Sequence, residues 1–168
     1  MAVSDVIIVD YEEGMASEIN EVWRTSFNQA LGLQQRFDSA EGQLVYLKNV
    51  LVKESEVLVL LERSTTRVIG FMAFKSNVIE QLYLHPDFQG MGHGRKLVDI
   101  AKTRSSGELQ LYTFQANQGA QQFYIRMGFS EVSRGSADMK SNPWAKSQSQ
   151  LADILYVWRT WSGKKHSG

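Results

Sequence analysis

Val78-Ile79-Glu80-Gln81-Leu82-Tyr83-Leu84, then His85-Pro86-Asp87-Phe88, then Gln89-Gly90-Met91-Gly92-His93-Gly94, is the stretch that decides how this chain folds. Its apolar opening reads as a strand over 78–84, and the glycine run opens a helix over 92–104 whose buried stripe is expected at Leu97, Val98, Ile100 and Ala101. Strand, glycine turn and helix together form an anion site. Glycine takes positive φ and lets backbone approach an oxyanion, while the first-turn N–H groups of a helix have no partner within it. Arg95, Lys96, Lys102 and Arg104 against Asp99 are expected to add positive charge at that end, which suits a ligand with several phosphates.

Spacing narrows the ligand. Gly90, Gly92 and Gly94 run G-x-G-x-G, not the G-x-G-x-x-G of the dinucleotide fingerprint. The mononucleotide loop G-x-x-x-x-G-K followed by Ser or Thr is missing from the chain. Instead, Gln89, Gly92 and Gly94 fit Q/R-x-x-G-x-G/A after a strand, and Asn117, Ala120, Phe123, Tyr124, Gly128 and Phe129 fit N-x-x-A-x-x-F-Y-x-x-x-G-F. Two ordered motifs of this kind resemble the coenzyme-binding and later motifs of the GCN5-related N-acetyltransferase (GNAT) family. Residues 1–60 match that family only as a pattern of elements, and 112–158 looks most like small bacterial acetyltransferases of uncertain substrate.

The remaining elements follow from periodicity. A strand is expected at 5–9, and a helix at 15–30 carries Ile19, Val22, Trp23 and Phe27 on one side and ends at Gly32. A second helix at 39–53 is expected to present Leu44, Val45, Leu47 and Leu51. Strands at 57–61 and 67–75 flank the polar turn 63–66; after the helix at 92–104 come a strand at 108–114, a helix at 118–127 and strands at 129–134 and 153–158. Residues 135–150 lack periodicity and read as a loop, and 161–168 as a frayed, disordered tail after one domain over 1–160. This order gives an α/β (mixed α+β) chain with a central, mixed, mostly antiparallel sheet of about seven strands and about four helices. The family resemblance adds a splay between the fourth and fifth strands, where a pantetheine arm lies.

Composition sets the bounds. The 168 residues, 43% hydrophobic, suit one core, and 18 basic against 18 acidic residues leave no global field to steer nucleic acid. No cysteine is present, which excludes a disulfide framework and a covalent cysteine relay. Three histidines without cysteine make a metal site unexpected. No 18-residue apolar run or signal pattern occurs, so a cytoplasmic protein, monomer or homodimer, is expected.

The resemblance implies an acetyl-coenzyme A dependent transferase acting on a primary amine of a small molecule or peptide. Direct attack in a ternary complex is then expected, since there is no cysteine to carry the acyl group. A non-catalytic acyl-coenzyme A binding or regulatory module is the alternative. Backbone of Gln89, Gly90, Met91, Gly92, His93 and Gly94, with Arg95, is expected at the pyrophosphate, and backbone of Leu82, Tyr83 and Leu84 beside pantetheine. Tyr124 matches the family tyrosine that serves as general acid, and an ordinary phenol of pKa near 10 is protonated at neutral pH. Asn117 lies about two helical turns before it and is expected to orient pantetheine or the turn. Glu80, a carboxylate inside an apolar strand, is the base candidate, and strict alternation lets only one of Glu80 and Gln81 face the cleft. His85 is a lesser base candidate, and His93 is expected to contribute backbone alone. Trp23, Phe27 and Phe37 are candidate acceptor-site residues. Loop 135–150 is expected beside them, with Trp144 as a lid or dimer contact.

Overall fold

The computed structural model describes residues 5–33 and 39–160. Phe37 and the 161–168 tail lie outside these residues. Seven strands, β1 (Val6–Asp10), β2 (Glu56–Glu62), β3 (Val68–Lys75), β4 (Val78–Leu84), β5 (Glu108–Phe114), β6 (Ser130–Ser136) and β7 (Ala152–Arg159), form one sheet in the order β1-β2-β3-β4-β5-β7-β6. Every pairing is antiparallel except β4 with β5. The helices are α1 (Ala16–Leu31), α2 (Ala40–Tyr46, continued by a π turn at Leu47–Leu51 and a last turn at Val52–Glu54), α3 (His93–Arg104) and α4 (Gln118–Arg126).

Helices cover both faces of the sheet, which explains why β3 is buried from Val68 to Phe74 and reads as an unbroken apolar run. On one face, Ile19, Val22, Trp23 and Phe27 of α1 and Leu47 and Leu51 pack on Val59, Phe71 and Ala73. On the other, Leu97, Val98 and Ala101 of α3 pack with Met72, Phe74, Leu109, Leu111 and Tyr156. Gly32 ends α1 at φ 66°, the left-handed closure that glycine adopts without steric cost. Ser39 caps α2 by accepting from the Gly42 N–H at 2.8 Å.

Several expectations need correction. Val45 is 56% exposed, because the face of α2 that meets the sheet carries Gln43, Leu47 and Leu51 at i, i+4 steps. Ile100 is only partly buried at the rim of the α3 stripe. The sixth strand runs on to Ser136, and the expected loop after it holds a 3-10 turn at Gln148–Leu151. Within that loop Trp144 is 3% exposed, its ring 5.0 Å from Phe27 and 5.3 Å from Phe114, so it is core and neither a lid nor a dimer contact.

The decisive feature is the opening between β4 and β5. At one end Asn77 clamps the strands. Its carbonyl accepts from Gln110 N at 2.8 Å, its Oδ1 accepts from Ser106 N at 3.1 Å, and its Nδ2 donates to Ser106 Oγ at 2.6 Å. The ladder between the two strands then contains one pair, Val78 with Gln110, and stops. Beyond it the strands part.

Candidate functional site

Two cavities meet in this opening. One, about 660 Å³, lies over the glycine turn and is lined by Gln89, Gly90, Gly92, Gly94 and Arg95 together with Leu84 and Phe123. The other, about 680 Å³, lies beneath α1 and α2 and is lined by Trp23, Tyr46, Glu80 and Gln81, with Ser141 to Trp144 along one side. Leu82, Tyr83, Asn117, Ala120 and Tyr124 line both. The sheet is therefore open from one face to the other at the residues both motifs supply.

The β4 wall follows from strand phase. His85 N–H donates to the Ile69 carbonyl at 2.8 Å, and the register pairs Gly70 with Leu84 and Phe71 with Tyr83. In an antiparallel ladder, residues exchanging both hydrogen bonds alternate with residues that turn their polar groups away. Residues 81, 83 and 85 thus bond to β3, and the backbone groups of Leu82 and Leu84 turn toward the opening. The Leu84 carbonyl accepts from Ser26 Oγ at 2.5 Å and from Gln89 Nε2 at 3.0 Å. Gln89 also donates to Gln29 Oε1 at 3.3 Å, so its side chain braces the strand exit against α1 while its backbone enters the turn.

The turn has the conformation its glycines permit. Gly90 and Gly92 stand at φ 77° and 85°, where a side chain would be strained. Gly94 is needed for another reason: a Cβ there would lie 3.1 Å from Phe123 Cζ and 3.2 Å from Cε1. The first helical bond of α3 runs from Lys96 N to Gly92 O, which leaves the N–H groups of residues 93–95 without acceptors in the helix. Met91 is exposed on the turn. Two of the cations expected here are elsewhere. Lys102 donates to the Met127 carbonyl at 2.5 Å with its ammonium over the Trp158 ring, and Arg104 pairs with Glu56. They occupy the last turn of α3, about 10 Å or more from its start. Arg126, which no motif marks, joins Arg95 in the cavity wall instead.

The His93 side chain is turned into the protein. It is 1% exposed, and neither ring nitrogen has a hydrogen-bond partner among the described residues. Burial, and secondarily the Lys96 charge, hold its pKa below the ordinary histidine value.

Glu80 stands at a β-bulge. Ala73 pairs with Gln81 and Phe74 with Ile79, so two consecutive residues of β3 face three of β4, and Glu80 is the extra one. The bulge breaks the alternation, so Glu80 and Gln81 both line the α1–α2 cavity, contrary to the one-or-other expectation. Glu80 is exposed there and close enough to Tyr46 to help raise the pKa of its phenol, the larger cause being burial. His85 lines neither cavity. Its Nδ1 accepts from the Asp87 N–H at 3.1 Å and caps the 3-10 turn Pro86–Phe88.

Tyr124 is 7% exposed, held between Phe123 at 5.0 Å and Phe129 at 5.4 Å between ring centroids. Burial, with a smaller contribution from Tyr83, pushes its phenol well above the ordinary tyrosine pKa. Asn117 caps α4 by accepting from Ala120 N at 3.1 Å, which fixes the helix start that aims Tyr124 into the opening. Two polar residues of the α1–α2 cavity, Gln43 and Thr113, escaped the sequence reading because each sits in a stretch scored for its apolar neighbours.

The comparisons agree with this geometry. Residues 53–131 match the family described as acetyltransferase (GNAT) domain. The chain is 25% identical to an uncharacterized N-acetyltransferase, ycf52, of Porphyra purpurea, covering 67% of this chain and 86% of that protein. It is 33% identical to the peptidyl-lysine N-acetyltransferase YjaB of Salmonella typhimurium, but covers only 52% of this chain and 57% of that one. The solution structure of apo YjaB from Escherichia coli superposes with a TM-score of 0.69 at 22% identity, covering 93% and 99% of the two chains. The PaiA N-acetyltransferase of Thermoplasma acidophilum, solved with coenzyme A, superposes with a TM-score of 0.68 at 20% identity, covering 92% and 99%. With both motifs set around one open β4–β5 seam, the match across residues 53–131, a little under half of the chain, places that segment in the GNAT family of N-acetyltransferases.

Proposed function

We propose that this chain moves an acetyl group from acetyl-coenzyme A directly to a primary amine, with the coenzyme over the glycine turn and the amine in the α1–α2 cavity. The observation that carries this reading is the junction of the two cavities at Leu82, Tyr83 and Tyr124. A donor and an acceptor entering from opposite faces meet there without a covalent carrier.

The turn suits a pyrophosphate. Left-handed Gly90 and Gly92, the acceptorless N–H groups of the first α3 turn, and Arg95 and Arg126 in the wall supply donors and charge. The backbone of Leu82 and Leu84 suits an extended arm that takes the place of the missing ladder partner. The coenzyme, when bound, supplies a thioester.

The chain's own groups handle the protons. An ammonium must lose a proton to become a nucleophile, and Glu80 takes it, directly or through one water, and passes it to solvent. As the nitrogen–carbon bond forms and the carbon–sulfur bond breaks, Tyr124 gives its proton to sulfur, and the second proton from nitrogen restores the phenol. An N–H of β4 near Leu84 polarises the carbonyl. The phenol is in its protonated form throughout the working range, and burial makes it a weaker donor than a solvated tyrosine, so the role rests on its place at the junction of the two cavities.

The test is thiol release from acetyl-coenzyme A over an amine panel, with and without Tyr124→Phe. Release that depends on amine and is lost in the variant supports the reading. Coenzyme binding without release for any amine would leave a binding module in its place.

A further inference from the structure

The α1–α2 cavity carries more information than the presence of an amine. Among the described residues lining it, Glu80 is the sole charged side chain. Aromatic rings stand in its walls: Tyr46 and Tyr112 are 44% and 61% exposed, and Tyr83 stacks on buried Trp23 at 6.3 Å with 28° between rings. One carboxylate beside tyrosine faces suits one cation with a flat or apolar body. It does not suit a polyamine, whose second and third charges find no carboxylate among these residues, nor an amino acid, whose own carboxylate would be set against Glu80.

Two buried hydrogen-bonding groups in the residues of its wall are unmet. Gln43 is 6% exposed and lines it; its Oε1 accepts from Arg24 at 3.1 Å, and its Nε2 has no partner among the described residues. The arginine has no acceptor to offer, so it fixes the amide with oxygen toward Arg24 and the donor elsewhere. Thr113 Oγ1, on β5 in the same wall, is likewise buried without a partner. A buried donor left unmet is costly, and few persist without a purpose.

We infer that the acceptor is a compact monoamine with an aromatic body and an oxygen that accepts a hydrogen bond from Gln43, with Thr113 in support. This rests on the acetyl-transfer reading for the amine's place beside Glu80. In it, Gln43 is a specificity residue with no part in the proton transfers. A lysine side chain in a peptide brings the single cation on a flexible stem without the ring.

The probes are tyramine, phenethylamine, spermidine and a capped lysine tripeptide, each compared by kcat/KM for thiol release and by calorimetry in the presence of coenzyme A. Tyramine is expected about 10-fold or more above phenethylamine, since a site built around a donor rejects the analogue lacking its partner. Spermidine and the tripeptide are expected lower still. Gln43→Met removes the donor and offers the tyramine hydroxyl no strong acceptor, so the tyramine-to-phenethylamine ratio should fall toward one. Thr113→Val should lower the ratio less. Equal or better use of spermidine or the tripeptide overturns the inference, as does an unchanged ratio in folded Gln43→Met. Absence of thiol release with every amine would overturn the acetyl-transfer reading instead, and the calorimetric ranking would still decide the acceptor class.

Discussion

Tyr124→Phe removes one oxygen from the junction and leaves the ring where it is. The Tyr124 ring packs against Phe123 at 5.0 Å and Phe129 at 5.4 Å, contacts that phenylalanine keeps, so stability should change by about 1 kcal/mol or less. Tyr124→Ala, by contrast, empties a buried site and costs about 3–5 kcal/mol, which would confound any rate. If the phenol protonates sulfur as the carbon–sulfur bond breaks, its loss acts mainly in the transition state. The expected fall is about 100-fold in the chemical step, or about 2.7 kcal/mol. Slow product release can hide such a loss, so single-turnover rates and acetyl-coenzyme A affinity are measured together. A second signature comes from linkage. The folded phenol's pKa is raised above the unfolded value near 10, so its contribution to stability is present below pH 10 and is lost as pH climbs beyond it. Phenylalanine should remove part of that alkaline slope. A folded variant with normal affinity and a normal single-turnover rate would refute the role of Tyr124 as acid.

Gly92→Val should weaken acetyl-coenzyme A in calorimetry; since a Cβ there meets nothing within 4 Å, the effect comes from forcing a branched residue to φ 85°, and unchanged affinity would count against the glycine turn as the pyrophosphate site. Glu80→Gln should lower turnover about 10- to 100-fold, most at the acidic end of the pH profile, where a working base matters most; an unaltered profile would show that this exposed carboxylate takes no proton. His93→Leu should flatten the acid side of the stability curve. The folded histidine's pKa is lowered, so stability is full above the unfolded value near 6.5 and declines below it by at most about 1.4 kcal/mol per pH unit; urea midpoints at pH 7.5 and 5.5 check this, and equal declines in both proteins would clear His93. Trp144→Ala should cost about 3–5 kcal/mol in urea unfolding, and a loss below 1 kcal/mol would contradict its place in the core.

What the sequence shows well is what is local. Apolar stripes in α1 and α3, the closing Gly32 and the glycine turn each depend on residues a few positions apart, and the structure has them where periodicity puts them, with Ile100 alone moved to the rim of the α3 stripe. The Glu80 bulge was not legible, because it arises from how β4 registers against β3, and a one-residue slip in pairing leaves no mark in composition. Trp144 misled for a related reason: a loop has no period, and its burial against Phe27 and Phe114 is decided by elements 30 or more positions away in the chain. Charges misled through distance along a helix. Lys102 and Arg104 belong to the same short segment as the glycine turn but to the opposite end of α3, where carbonyls and Glu56 hold them.

An unpaired strand edge inside a sheet is unstable by default, since its N–H and C=O groups seek a ladder. Three features keep this one open. The Asn77 clamp ties β4 to β5 at one end and so limits how the strands can slide together. The bulge at Glu80 adds local twist to β4 just past the last β5 pair, which turns the strand away while its bonds to β3 continue. Tyr124, carried in by α4 from the far face, stands among the residues shared by both cavities where a continued ladder would run. The two side chains assigned to proton transfer therefore sit at the features that hold the seam apart. Glu80 is exposed because the strand bulges, and Tyr124 is buried because its ring belongs to the core beside the opening. Their opposite environments suit opposite tasks: a solvated carboxylate exchanges protons with water, and a buried phenol keeps the proton that the departing sulfur requires.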